Sequence, residues 1–114
     1  MTTTTYIPDR GDIVYLDFNP TKGHEQRGYR PALIISPAAY SDKSSLALFC
    51  PITSQQKGYP FEVLLPEDLQ TQGVILVDQI RSLDWRVRQI KFVETVSPEV
   101  IAEVHAKITP LIYH

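Results

Sequence analysis

The stretch GDIVYLDFNPTKGHEQRGYRPALIIS, residues 11–36, decides the fold. It consists of two apolar runs around a charged interval. GDIVYLDF (11–18) alternates with a period of two, setting Ile13, Tyr15 and Asp17 on one face and Val14, Leu16 and Phe18 on the other. Both faces are largely apolar, as in a strand buried on two sides. PALIIS (31–36) is a second, β-branched strand. A hairpin connection normally takes about two to five residues. The interval PTKGHEQRGYRP (20–31) is about twice that and carries Lys22, His24, Glu25, Arg27 and Arg30, broken by Gly23 and Gly28. A loop of that length is typical of a functional segment.

Further strands follow outward from this pair: SLALFCPIT (45–53), FEVLL (61–65), a fifth within GVILVDQIRSLD (73–84) and a sixth in QIKFVETV (89–96). Short strands at this spacing, punctuated by Gly and Pro, predict a mainly antiparallel barrel or sandwich. The period then changes. SPEVIAEVHAKITPLI (97–112) opens with Ser97 as N-cap, Pro98 at the first helical position and Glu99 in the first turn. Val100, Ile101, Val104, Ile108 and Leu111 form one helical stripe, and Pro110 is expected to end or distort the last turn. The expected fold is mainly β, a small antiparallel β-barrel with one packed C-terminal helix, in a single domain over residues 1–114.

Composition narrows the function classes. Hydrophobic residues make up 43% and charged residues 21%, so the chain is globular rather than disordered. No apolar run is long enough to span a membrane, and MTTTTY has neither the basic nor the apolar part of a signal peptide. One cysteine, Cys50, lies in an apolar run; it excludes an internal disulfide framework and reads as a small core residue. These features predict a cytoplasmic protein. A net charge of −2 does not by itself point to nucleic acid, so the position of the charges has to carry that argument.

His24, His105 and His114 have no second ligand at zinc spacing, and there is no glycine-rich phosphate loop, so neither a metal nor a cofactor is expected. What remains is the 20–31 loop, the tract TSQQKGYP (53–60) with Thr53, Ser54, Gln55 and Lys57, and DQIRS (78–82) with Asp78 and Gln79. Asp78 is expected to be a buried carboxylate in need of a partner. WRVRQIK (85–91) sets three cations beside Trp85, either a solvated strand face or a surface for RNA or a partner. Cations, hydroxyl donors and a proton carrier are what RNA transesterification requires, because RNA supplies its own 2′-OH nucleophile. Arginine matches phosphate oxygens with its fork of donors. The plainer alternatives are a surface ion pair for Arg30, an exposed loop position for His24 and turn chemistry for TSQQ. The residues alone reach a small β-barrel binding an anionic polymer.

GDIVYLDFNPTKGHEQRGYRPALIISP, CPITSQQKGYPFEV and GVILVDQIRSLDWR, in that order, resemble the MazF/PemK/Kid family of toxin endoribonucleases, with QKGYPFEV and DQIRSLDWR closest to the MazF branch. The resemblance covers nearly the whole chain. It implies an SH3-like barrel of the type shared with CcdB, a homodimer, and metal-independent cleavage of single-stranded RNA at short sequences. The expected ends are a 2′,3′-cyclic phosphate and a 5′-OH, and the consequence is arrest of translation. It also implies a MazE-like antitoxin whose acidic tail covers the RNA groove. Carried over motif by motif, Arg30 and Thr53 act at the scissile phosphate, Glu25 supports activity and loop order, and His24 is a candidate base that the family does not require. Lys22, Arg27, Ser54, Gln55 and Lys57 would contact RNA, and Asp78 and Gln79, the DQ pair, would contact RNA or orient their neighbours. Some Kid-like members have an arginine two positions before the DQ aspartate; Leu76 stands there, which shifts weight onto Arg30. Two other readings compete: a non-catalytic CcdB-like gyrase poison, and an inactive relative that only binds an acidic tail.

Overall fold

The computed structural model describes residues 6–113. The elements are β1 (Asp12–Asp17), β2 (Tyr29–Ile34), α1 (Ala38–Ser44), β3 (Leu46–Thr53), β4 (Glu62–Leu64), β5 (Val74–Leu76), β6 (Arg81–Asp84), β7 (Lys91–Thr95) and α2 (Pro98–Ile112). His114 and the first five residues, including most of MTTTTY, lie outside the described residues. The strands form one antiparallel sheet in the order β4-β5-β3-β2-β1-β7, with β6 also paired to β3. The mainly β architecture with a C-terminal helix is as the sequence predicts.

Four details differ from expectation. First, β2 begins at Tyr29 rather than residue 31, so Arg30 is a strand residue opposite Leu16 and not part of the loop. The loop proper is 18–28. Gly28 closes it at φ +86, a conformation open to glycine, while its carbonyl accepts Phe18 N at 3.0 Å. Second, the fifth strand is two. Ile52 faces Ile75 and Phe49 faces Arg81, so six residues of that chain span three of β3. The surplus forms a 3-10 turn, Val77–Gln79, which carries Asp78 and Gln79 out of the sheet. Third, α1 has no counterpart among the elements expected from sequence; it follows Pro37 and is capped by Ser45 in the left-handed region. Fourth, Leu111 lies beyond the core at 44% exposure. The helical stripe ends at Ile108, while Pro110 sits inside the last turn.

Both sheet faces are covered, as the two-sided pattern of residues 11–18 requires. Ile13, Leu33, Cys50 and Ile52 pack with Val100 and Val104 of α2. Val14, Leu16, Phe18, Ala32, Ile34 and Phe49 pack with Leu83 and Trp85 on the other face. Ser97 stands at the helix N-cap without a side-chain capping bond, and Pro98 occupies the first turn. No helix among the described residues is long and apolar enough to cross a membrane.

The cations of WRVRQIK are largely structural. Trp85 is buried and donates Nε1 to Ser41 O, fastening α1 to β6. Arg86 lies over the Trp85 ring and pairs with Asp42. Arg88 donates to Asp17 O and Asn19 O at the root of the 18–28 loop. Lys91 remains exposed.

Candidate active site

Three adjoining concavities open at the end of the sheet where the 18–28 loop, the end of β3 and the 3-10 turn meet. The first, about 320 Å³, is lined by His24, Thr53, Gln55, Lys57, Asp78 and Gln79 among others. The second, about 420 Å³, is lined by His24, Glu25, Arg27, Arg30, Thr53 and Ser54 with their neighbours. The third, also about 420 Å³, lies between His24 and Glu25 on one side and Asp78 to Arg81 on the other. His24 lines all three. The fold therefore gathers three segments distant in sequence.

Arg30 is the best-anchored cation there. Its Nε donates to Arg27 O at 2.8 Å, and Nη1 donates to Ile52 O at 3.4 Å. Arg30 is half-buried, and that burial lowers its pKa below the ordinary value. The surface ion pair considered from sequence is absent: among the described residues no carboxylate lies within ion-pair distance of Arg30. Among the described residues its other N–H groups make no hydrogen bond. The neighbouring Tyr29 points to the opposite face, where its ring stacks on Tyr15.

Thr53 ends β3 and is buried, with Oγ1 accepting Gln55 N at 3.2 Å. Its backbone is packed against Gly73, which has φ +119; a Cβ there would stand 2.1 Å from Thr53 O. Glu25 is exposed, and its Oε1 accepts Lys22 N at 2.7 Å across the turn. Gln79 Oε1 accepts Gln26 N at 2.7 Å. Asp78 is exposed rather than buried, because the 3-10 turn lifts it from the apolar strand. Its charge and, above all, burial push the Cys50 thiol up to about 12, consistent with a core residue and not a nucleophile.

Of the residues expected to contact RNA, only Lys22 lines none of the three concavities; it is exposed. Sequence reasoning missed Tyr59, Glu62 and Arg81. Tyr59 is exposed and lines the first concavity. Glu62 accepts Lys57 N and Gly58 N, shaping the 53–60 tract. Arg81 lines the third and donates to Phe18 O at 3.0 Å. An aromatic in a polar tract and the arginine of DQIRS were the available signals. Among the described residues no group of three or more His, Cys, Asp or Glu side chains is placed to hold a metal ion.

The family model for PemK-like, MazF-like toxins of type II toxin–antitoxin systems matches residues 9–112. The chain belongs to this family. It is 48% identical over 107 residues to the endoribonuclease toxin MazF of Escherichia coli K12, covering 94% of this chain and 96% of that one. The crystal structure of MazF from Deinococcus radiodurans superposes with a TM-score of 0.92 at 49% identity, over 96% of this chain and all of that one. A MazE–MazF complex from the same organism matches with a TM-score of 0.84 at 45% identity, over 96% of this chain and 98% of that one. Membership fits the site: the segments that form the concavities are those whose motifs resemble the family.

Proposed function

We propose that this chain is the endoribonuclease toxin of a type II toxin–antitoxin pair, cutting single-stranded RNA by transesterification at the Arg30–Thr53 site. The observation that carries this reading is a half-buried arginine, held by two carbonyls and with no carboxylate at ion-pair distance among the described residues, beside a threonine in an open concavity. A phosphate diester is the counter-charge such a group lacks. In the reaction the 2′-oxygen attacks the adjacent phosphorus as its proton passes to a base. The bond from phosphorus to the 5′-oxygen then breaks, and that oxygen takes up a proton. The products are a 2′,3′-cyclic phosphate and a 5′-OH. Arg30 and Thr53 hold the charge that develops on the phosphorane oxygens, and His24 and Glu25, which line the same concavity, would serve as proton carriers. The 2′-OH supplies the nucleophile, so these groups suffice without a metal.

Lys57, Arg27, Ser54, Gln55 and Asp78 would contact the flanking nucleotides, and the exposed ring of Tyr59 offers a stacking surface. The same cations fit the acidic tail of a MazE-like antitoxin, a partner supported by the relative solved with MazE. One toxin domain over residues 1–114, acting as a homodimer on cytoplasmic messenger RNA, completes the reading. The test is incubation of the purified protein with a long single-stranded RNA in excess EDTA. Discrete cuts with 5′-OH ends are expected, and none from Arg30→Ala with an unchanged circular dichroism spectrum. Intact RNA with the folded wild type would favour the binding-only relative, and broken DNA in arrested cells the gyrase poison.

A further inference from the structure

The geometry points to Gln79 as a positioning residue for Arg30, acting through the backbone of the 18–28 loop rather than through RNA. This rests on the reading of Arg30 as the phosphate-binding arginine. Gln79 Oε1 accepts the amide of Gln26 at 2.7 Å, across 53 residues of sequence. One residue further along the loop, Arg27 O accepts Arg30 Nε at 2.8 Å. Gln79 thus fixes the short segment whose carbonyl aims the guanidinium.

The other end of the linkage is equally firm. Gln79 closes the 3-10 turn between β5 and β6, and both strands pair with β3. β3 carries the second carbonyl that holds Arg30, at Ile52, and ends at Thr53. The Gln79–Gln26 bond therefore ties the loop side of the arginine to the strand that carries the threonine. Without it, Arg27 O can move relative to Ile52 O, and the guanidinium loses one of its two fixed supports. Gln26 is half-buried, so its amide has a reason to keep this partner.

A positioning role and an RNA contact differ in kinetics. Gln79→Met keeps the side-chain length and removes the carbonyl. It is expected to lower kcat about tenfold with KM changed by less than about threefold, the loss of one hydrogen bond expressed in the transition state. Amide exchange at Gln26 should speed up in the free protein, without RNA. Gln79→Glu keeps an acceptor oxygen and should restore both Gln26 protection and most of kcat. Gln79→Ala repeats the test should the methionine variant not fold. Unchanged kcat, a rise confined to KM, or unaltered exchange at Gln26 overturns the inference. Arg30→Ala is assayed alongside. If it is inactive while Gln79→Met has wild-type kcat, this inference alone fails; if Arg30→Ala is active, the site assignment fails with it.

Discussion

Arg30 Nε donates to the carbonyl of Arg27 at 2.8 Å, so the guanidinium is aimed by the end of the loop that precedes its own strand. A second bond, from Nη1 to Ile52 O, fixes its plane. Lysine has neither the fork nor the reach to hold two carbonyls and a phosphate together. Arg30→Lys should therefore lose about 100-fold or more in cleavage rate although the charge is kept. Single-turnover cleavage, with folding checked by circular dichroism, measures this.

Gly73 makes a comparable demand on the backbone. Its φ of +119 is strained for any side chain, and a Cβ would meet Thr53 O at 2.1 Å. Gly73→Ala is expected to destabilise the protein by about 2–3 kcal/mol and to displace Thr53, so that residual folded protein cleaves slowly. Urea unfolding and cleavage at low temperature separate the two effects.

How far the sequence reached depended on the kind of signal. The alternation of residues 11–18 and the helical stripe from Val100 to Ile108 are periodic; the first marks a strand buried on both faces and the second the packed side of α2. Arg30 reads from the sequence as a loop residue, because Pro31 marks a strand boundary; the pairing of Leu16 with Arg30 is non-local. The same is true of Asp78. An apolar run of that length reads as one strand, and only the two registers of β3 show that it must step aside between β5 and β6. The bonds from Gln79 to Gln26 and from Arg81 to Phe18 O span more than fifty residues, and neither has a local sequence signature.

Cys50 offers a check on the core. Burial, with a smaller contribution from Asp78, pushes its thiol from 9.0 up to about 12. The native protein should resist Ellman's reagent at pH 8 and cleave RNA unaffected by iodoacetamide. Because the folded value is raised, the contribution to stability is complete below pH 9 and is lost as pH rises from there towards 12. Cys50→Ala should flatten that part of the alkaline limb in urea titrations.

Glu94 predicts behaviour at the acid end. Burial works against its charge, but bonds from the Thr71 hydroxyl and from the amides of Thr71 and Gln70 outweigh it, and the carboxyl is held below the ordinary 4.5. The unfolded chain then takes up this proton first, so stability is present above 4.5 and falls as pH drops through the folded value. Glu94→Gln should lose stability near neutrality and show a shallower decline below about pH 5. Urea midpoints across the acid range, compared with wild type, test it.

The most direct measurement compares two RNA oligonucleotides spanning a mapped cut site, in excess EDTA. One is all ribose; the other carries a single 2′-deoxy nucleotide immediately 5′ of the scissile phosphate. Cleavage through the substrate's own 2′-OH, with Arg30 and Thr53 stabilising the phosphorane, predicts a cut with a 5′-OH end in the first and none in the second. Cleavage of the deoxy-substituted strand, or a 5′-phosphate end, would contradict it.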